Sequence, residues 1–280
     1  LSNCEIYDPA TDSFTATGSM GTPRILHGAS ILADGRVMVA GGTSTLAPNV
    51  TAAITGTLRS AEIFNPASGS WSSTQNIGGR RLGPALTLLS NGQVMVSGGV
   101  AVTIFFGFPI AAISTTAVQR WNPANSSWSS AASMSQGRAG HQYNQVTLND
   151  GRVLMTGGLN VPNLLGATSA APISGAEVYN PATNSWQTVN MPTVRALHSA
   201  TVLADGRVVA CGGAQGTLLV PISVANVDVF NPSTNTWSSA PALTGARASH
   251  TANLMPDGTL VLFGGQGATT SLTTIETLRF

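Results

Sequence analysis

The acidic residues, which could supply general acids or metal ligands, all fall at recurring positions. The chain has 280 residues but only 11 Asp and Glu. They are Glu5, Glu62, Glu177, Asp228 and Glu276 at one position, Asp34, Asp150, Asp205 and Asp257 before glycine, and Asp8 and Asp12 in one turn. Glycoside hydrolysis uses a carboxylate pair that flanks the scissile bond. Because no carboxylate stands apart from the recurring positions, the sequence favours a protein that is not an enzyme.

The basic residues also recur, in an Arg-x-x-His pattern that could bind a metal or a ligand. Its copies are Arg24/His27, Arg138/His141, Arg195/His198 and Arg247/His250, with Arg81 and Pro84 in the remaining copy. A ring of imidazoles can bind a metal. Repetition instead favours histidines that hydrogen-bond backbone between neighbouring units, so no metal or other cofactor is predicted.

The recurring arginines leave two alternatives open, of which the sequence favours the first. They either hydrogen-bond between structural units or line a ligand-binding mouth, and they are Arg24, Arg81, Arg138, Arg195 and Arg247. Tyr143 would join the mouth, since it lies in a stretch where His141 and Gly151 are ten positions apart and the other copies take eight. Two extra residues at this point predict a bulge in a strand.

Composition excludes two classes of partner or location. The net charge is +1 and charged residues make up 8% of the chain, so no basic field is available to hold nucleic acid. No apolar run reaches the roughly 18 residues that a membrane-spanning helix needs. The two cysteines, Cys4 and Cys211, are too few for a disulfide framework or a cysteine-based metal site.

One unit repeats five times along the chain and predicts an all-β fold. Gly-Gly pairs recur at 41–42, 98–99, 157–158, 212–213 and 264–265, each after a short apolar strand. Asp-Gly or Asn-Gly precedes each of these strands and supplies the positive φ angles of a tight hairpin. An Asn-Pro or Asp-Pro turn and an aromatic residue follow. Each unit is thus predicted to hold four strands, named a, b, c and d in chain order, with no helix.

These motifs resemble the kelch repeat, whose period is about 50 residues. The resemblance implies a β-propeller of four-stranded antiparallel blades. The sequences of the repeats are similar to those of bacterial secreted kelch proteins and of the central domain of galactose-oxidase-like enzymes. Those enzymes use copper with His, Tyr and a Tyr-linked Cys. Tyr7, Tyr179 and Cys211 here occupy ordinary repeat positions, so a copper radical site is not expected. Sialic-acid mutarotases of kelch type are the better enzyme alternative.

The number of blades depends on how the ends of the chain are used. The acidic position of strand c recurs six times, with Gln119 standing in once, whereas strands a, b and d each occur five times. The preferred interpretation is a single domain over 1–280 with five blades, whose closing blade is shared by N-terminal strands (1–20) and C-terminal strands (250–280). The alternative is a six-bladed parent protein of which this chain is a fragment.

The loops between strands b and c are long and apolar, and long loops are often functional. We expect them to share one rim and to bind a protein partner or a membrane-bound assembly. The residues expected at this contact are Ile104, Phe105, Phe106, Phe108, Pro109, Ile110, Leu164, Leu165, Leu218, Leu219 and Val220. With the resemblance to secreted kelch proteins, this predicts an exported interaction module, extracellular or periplasmic. The alternative is a sugar-active enzyme or lectin that uses the arginine mouth.

Overall fold

The computed structural model describes residues 1–45, 49–165, 170–217 and 220–280. The N-terminal segment forms two strands, β1 (Cys4–Asp8) and β2 (Ser13–Thr17). The first repeat forms β3 (Gly28–Ile31), β4 (Val37–Ala40), a short helix α1 (Val50–Thr55), β5 (Ala61–Asn65) and β6 (Ser70–Thr74).

The second repeat is the longest because its b–c connection forms strands of its own. Its elements are β7 (Arg80–Leu82), β8 (Ala85–Leu88), β9 (Val94–Ser97), β10 (Val100–Phe105), β11 (Phe108–Ser114), β12 (Val118–Asn122) and β13 (Ser127–Ala131). The third repeat forms β14 (Gln145–Thr147), β15 (Val153–Thr156), β16 (Leu159–Asn160), β17 (Ala171–Pro172), β18 (Ala176–Asn180) and β19 (Ser185–Thr188).

The last two repeats differ in the number of strands that they contribute. The fourth forms β20 (Ser199–Val202), β21 (Val208–Cys211), β22 (Ala214–Gly216), β23 (Pro221–Ser223), β24 (Val227–Asn231) and β25 (Thr236–Ala240). The fifth forms β26 (Thr251–Leu254), β27 (Leu260–Phe263) and β28 (Ile275–Leu278).

Each of the first four repeats folds into one antiparallel sheet, or blade, with its strands in the order a, b, c, d. The blades are β3-β4-β5-β6, β8-β9-β12-β13, β14-β15-β18-β19 and β20-β21-β24-β25, and a fifth sheet holds β26-β27-β28. Neighbouring blades meet at their first strands, since β3 lies beside β8, β8 beside β14, β14 beside β20, and β20 beside β26. The all-β fold of four-stranded antiparallel blades, with strand a innermost, is confirmed.

The core lies between adjacent blades, which explains why strand b is apolar on both faces. Met38 and Ala40 of the first blade pack with Val94, Val96 and Trp121 of the second. Comparable clusters join the second blade to the third, the third to the fourth, and the fourth to the fifth. A strand that is covered on both sides must carry apolar residues at every position.

The structure differs from the sequence expectation of a shared closing blade. In the part of the chain that is described, β28 pairs only with β27, and β2 pairs only with β1. All five residue pairs from Cys4–Thr17 to Asp8–Ser13 join β1 to β2, so β2 would have to leave β1 to serve as strand d of the fifth blade. The hairpin of β1 and β2 instead lies beside the first blade, where Gly18 N donates to Gly69 O.

Two connections that were expected to be irregular contain regular structure. Helix α1 begins after Asn49, whose Oδ1 accepts a hydrogen bond from Ala52 N and caps the first turn. Strands β10 and β11 form a hairpin, with Phe106 and Gly107 at the turn, both at positive φ. Helix α1, with 6 residues, leaves the all-β expectation intact. The placement of Phe105 and Phe108 on a loop was wrong, since both lie on strands.

Candidate functional site

The five recurring arginines lie inside the blades rather than at an open mouth. All are buried: Arg24, Arg81, Arg138, Arg195 and Arg247. In the third blade, Arg138 Nη1 donates to the carbonyl oxygens of Gly157 and Gly175, both at 2.7 Å. Because solvent does not reach these guanidinium groups, the structure contradicts their placement at a ligand-binding mouth. Their guanidinium bonds are made within one blade. Bonds between blades, as expected, are made by the backbone, since the carbonyl oxygens of Arg81, Arg138 and Arg247 each accept from a glycine N of the preceding blade at 2.8 Å.

Four of these arginines neutralise the acidic residue of strand c in the same blade. The pairs are Arg24–Glu62 at 2.5 Å, Arg138–Glu177 at 2.7 Å, Arg195–Asp228, and Arg247–Glu276 at 3.2 Å. A buried charge is tolerated only when it is paired and hydrogen-bonded. These carboxylates are therefore committed to the framework and are not free to act as general acids or bases.

Arg81 is the exception, because Gln119 stands in the acidic position of its blade. Its Nη1 donates to Ala117 O at 2.9 Å, and Gln119 Oε1 accepts from Gly78 N at 2.9 Å. Burial without a carboxylate partner lowers the pKa of Arg81 to about 10. The guanidinium therefore remains charged at neutral pH.

Three histidines bond side chains of neighbouring strands, not the backbone partners that the sequence suggested. Nε2 of His198 lies 2.8 Å from Thr156 Oγ1, and Nε2 of His250 lies 3.0 Å from Ser199 Oγ. Nε2 of His141 lies 3.2 Å from Ser97 Oγ. Burial lowers the pKa of His141 to about 3 and that of His250 to about 4, so both rings are neutral at pH 7. The described residues contain no group of three or more His, Cys, Asp and Glu placed to hold a metal ion.

The central mouth, where the first strands of the blades converge, holds two adjoining cavities of about 600 and 280 Å³. The larger is lined by the ends of the d–a connections of the third to fifth blades and by strands a of the fourth and fifth blades. Its polar lining comprises Gln142, Tyr143, Asn144, His198, Ser199, Ser249, His250, Thr251 and Asn253. None of the described residues lining either cavity is Arg, Asp or Glu. The mouth is therefore polar but uncharged at neutral pH.

Tyr143 stands between the two cavities because the third strand a begins late. Residues 141–144 form a turn in which Asn144 N donates to His141 O at 2.9 Å, and β14 starts only at Gln145. The side chain of Tyr143 is 77% exposed. Beneath it, the Asn144 amide lies 3.2 Å from His198 Nδ1. The predicted irregularity is thus present, and it presents an aromatic ring at the mouth.

Hairpin β10–β11 carries an apolar tip on the rim shared by the b–c and d–a connections. Strand β10 pairs with β7, which belongs to the d–a connection, so the two kinds of connection do share a rim. Phe105, Phe106 and Phe108 are 60, 86 and 74% exposed, and the rings of Phe105 and Phe106 meet edge to face at 4.4 Å. Ile110 is also exposed, whereas Ile104 and Pro109 are half-buried.

The other residues expected at the apolar rim lie at different depths. Leu164 packs against the base of the hairpin, where its backbone N donates to Ala112 O at 2.7 Å, and Leu165 beside it is more exposed. Val220 is exposed in the connection between β22 and β23 of the fourth blade. Leu218 and Leu219 lie outside the described residues. The aromatic tip is therefore the largest exposed part of the expected surface.

Comparisons with known proteins agree with this geometry. A family model described as the kelch motif matches residues 195–244, which span the fourth blade from Arg195 to beyond Trp237. A solved structure titled "Structure of YjhT" superposes with a TM-score of 0.69 and 17% sequence identity, and the match covers 96% of this chain and 85% of that chain. This chain is a kelch-repeat β-propeller. At 17% identity, the structural likeness shows the fold alone.

A curated relative of the kelch propeller comes from a plant. It is an F-box/kelch-repeat protein of Arabidopsis thaliana, 25% identical over 156 residues. The match covers 55% of this chain and 40% of the relative, so the chain spans about two fifths of the length of that protein. Within the described residues of the propeller, no helix is long and apolar enough to cross a membrane.

Sequence reasoning missed two features of the kelch propeller for identifiable reasons. The β-branched residues from Val100 to Ile104 are typical of a strand, and Gly107 in the middle of the segment is a turn residue. This pattern indicates the hairpin. The sequence indicated the burial of the arginines only weakly. One arginine and one acidic residue of strand c recur together in four repeats, which is consistent with a buried ion pair in each blade.

Proposed function

We propose that this kelch propeller is a non-catalytic module that binds a protein partner through the tip of hairpin β10–β11. The observation that carries the proposal is the exposure of three phenylalanines within four residues, at the tip of a hairpin with its own backbone pairing. Large apolar patches are rare on the surface of a monomer and usually mark interfaces. The hairpin gives these rings a defined position, which reduces the entropy lost on binding.

Charge favours a protein partner over a lipid surface. No charged residue occurs between Arg81 and Arg120, a stretch that includes the whole hairpin. Segments that bind anionic membranes combine apolar residues with Lys or Arg, each of which contributes about 1 kcal/mol near the surface. The chain contains no Lys at all. An apolar groove on a protein partner therefore fits the tip better than a membrane does.

The tip is large enough to dominate a contact. Transfer of one Phe side chain out of water contributes roughly 1.5–3 kcal/mol. Three such rings, with Ile110 beside them, would act as the buried anchors on which most protein interfaces depend. The buried ion pairs and neutral histidines described above support a role without catalysis, because these groups are already bonded within the blades.

The binding proposal is tested by comparing two variants with the unaltered protein. Affinity purification from the native source would use the triple variant Phe105→Ser/Phe106→Ser/Phe108→Ser and the matched control Phe14→Ser, which changes an exposed ring on hairpin β1–β2. We expect the triple variant to lose one specific co-purifying protein and Phe14→Ser to retain it. Equal recovery with both variants would overturn the proposal.

The central mouth supports a second candidate function, the binding of a neutral carbohydrate. An exposed aromatic ring flanked by amides and hydroxyls suits the apolar face and the hydroxyls of a sugar, and Tyr143, Gln142 and Asn253 provide these groups. A sialic acid carries a carboxylate, which usually needs an arginine. Since the recurring arginines are buried, a neutral sugar fits the mouth better than the mutarotase-like alternative does.

The carbohydrate candidate requires a binding measurement on matched sugars. A panel of neutral and sialylated oligosaccharides would be titrated calorimetrically against the protein and against Tyr143→Ala. Binding of a neutral sugar that is lost in Tyr143→Ala would establish this function. No binding across the panel, or retention of binding in the variant, would remove it.

Export is the remaining part of the proposed function. The similarity of the repeat sequences to those of secreted bacterial kelch proteins supports an extracellular or periplasmic location. Fractionation of the native source, followed by immunodetection, tests it. Recovery in the cytosolic fraction would contradict it.

A further inference from the structure

The side of the propeller between the fifth blade and hairpin β1–β2 lacks the partners that equivalent residues have elsewhere. Strand c pairs with both b and d in the four complete blades. Here β28 pairs with b only, and β1 pairs with d only. The described strands therefore comprise six of type c but five each of types a, b and d, so that one d, one a and one b would complete six equal blades.

The Gly-Gly pairs show where a neighbouring blade belongs. A Cβ atom on the first glycine would lie 2.7, 2.5, 2.3 and 2.4 Å from the arginine carbonyl of the next blade in four interfaces, which involve Gly41–Arg81, Gly98–Arg138, Gly157–Arg195 and Gly212–Arg247. Only glycine permits such an approach. Gly264 holds the same place in the fifth blade, but the nearest atom is Leu272 O of its own loop at 3.2 Å. The space for one more arginine carbonyl is thus present.

The acidic position of strand c gives a second, independent indication. Four acidic residues at this position pair with an arginine, three of them buried and Glu276 half-buried. Glu5 on β1 is exposed and forms no ion pair with the described residues. The arginine always comes from the connection that precedes strand a of the same blade. The segment that precedes β1 in a complete blade would therefore supply an arginine to Glu5.

His27 gives a third indication on the opposite face of the same space. His141 and His198 each lie against a hydroxyl at the end of strand b in the preceding blade, namely Ser97 and Thr156. His27 makes no side-chain hydrogen bond with the described residues, and it is only half-buried, whereas His141 and His198 are buried. A hydroxyl at the end of a further strand b would meet its ring.

Apolar side chains along both edges are exposed where their equivalents are buried. Tyr7 on β1 is 47% exposed, and its equivalents Phe64, Trp121, Tyr179 and Phe230 are all buried. Ile275 on β28 is 62% exposed, and its equivalents are Ala61, Val118, Ala176 and Val227, also buried. These two edges and the space between them are called the acceptor gap.

We propose that the acceptor gap binds one kelch-type segment of three strands, in the order d, a, b. Its strand d pairs with β28, its Arg-x-x-His connection brings the arginine to Glu5, and its strand b pairs with β1 and ends near His27. A segment of this type satisfies the two unpaired edges, Glu5, His27 and Gly264 together. The inference is independent of the function proposed for hairpin β10–β11.

The chain itself provides a suitable segment for the test. Residues 182–213 contain strands d, a and b of consecutive blades, with Arg195, His198 and the Gly-Gly pair. Strand b of this segment ends in Cys211, so the copy carries Cys211→Ser to place a hydroxyl against His27. A second copy of this segment would be fused after Phe280, where its strand d follows β28 as β19 follows β18. The matched controls are a fused segment of scrambled sequence and a fused copy in which the arginine equivalent to Arg195 is replaced by glutamine.

Amide hydrogen exchange and light scattering measure the result. We expect a monomer in which the fused copy slows exchange in β1 and β28 by about a hundredfold or more, because edge strands become paired. The scrambled segment should give no slowing, and the arginine-to-glutamine copy should give less. Glu5→Gln should reduce the slowing by the intact copy and leave the unfused chain unchanged.

Three results would overturn the proposal. The first is protection of β1 and β28 in the unfused monomer, which would show that the two edges close on each other. The second is a stable dimer of the unfused chain with both edges protected, which would make a second copy the occupant. The third is equal exchange rates with the intact and scrambled segments.

Discussion

Arg138 Nη2 donates to Glu177 Oε1 at 2.7 Å, and both side chains are buried. This pair joins the connection that precedes strand a to strand c of the same blade. Ser135 N donates to the other oxygen of Glu177 at 2.8 Å, so the carboxylate has a partner on each side. The same relationship recurs in three other blades, which makes it a unit of the framework.

Removing Arg138 from its ion pair with Glu177 should destabilise the folded protein. Replacing Arg138 by Gln leaves Glu177 buried without its cation, which typically lowers the free energy of unfolding by about 3–5 kcal/mol. Urea unfolding followed by tryptophan fluorescence measures it. The matched control is Arg81→Gln, since Arg81 has no carboxylate partner and its loss leaves no unpaired charge. Equal losses of the free energy of unfolding in the two variants would show that an unpaired carboxylate is not the cause of the destabilisation.

Stability should fall as the pH drops from about 6.5 towards 4, before most carboxylates titrate. Burial lowers the pKa of His141 to about 3, while a histidine in the unfolded chain has a pKa near 6.5. The unfolded state therefore binds a proton that the folded state does not, and one such group contributes up to about 1.4 kcal/mol per pH unit in this window. His141→Gln should reduce this slope. An unchanged slope in the variant would contradict the neutral assignment.

The first glycine of each Gly-Gly pair should be replaceable only where no blade follows. Gly98→Ala would place a Cβ atom 2.5 Å from Arg138 O, and we expect a loss of about 3 kcal/mol or more in the free energy of unfolding. Gly264→Ala has nearly the same φ, at +58° against +53°, but its nearest neighbour is at 3.2 Å. Gly264→Ala should lower the free energy of unfolding by only about 1–2 kcal/mol, which is the cost of a non-glycine residue in the left-handed conformation. Calorimetry or urea unfolding compares them, and equal losses would contradict the steric explanation.

Sequence alone predicted the blades because their determinants are local. Asp34-Gly35 and Gly41-Gly42 bracket β4, and the same spacing recurs in each repeat, so strand type and order could be inferred from turn chemistry. Closure was less predictable, because it depends on whether β28 and β2 meet across more than 250 residues of chain. The role of Arg138 was also ambiguous, because the spacing of residues in a sequence does not show whether a side chain is buried.

The exposed tip of hairpin β10–β11 should contribute little to stability. Phe105, Phe106 and Phe108 are mostly exposed, so replacing all three with Ser should change the free energy of unfolding by no more than about 1 kcal/mol. Val102→Ser, at a buried position of the same hairpin, should cost more because it places a hydroxyl in an apolar cluster. Urea unfolding of both variants measures this. A large loss in the triple variant would mean that the rings serve folding rather than binding.

Site-specific photocrosslinking tests the proposed interaction most directly. A benzophenone amino acid would replace Phe106 at the tip or, as control, Ala124, which is exposed in the c–d turn at the opposite rim of the same blade. After irradiation in an extract of the native source, we predict one discrete protein adduct from position 106 and none from position 124. The adduct should disappear when Phe105 and Phe108 are replaced by Ser. The absence of an adduct at position 106, or the same adduct from both positions, would contradict the claim that this tip is the partner-binding surface.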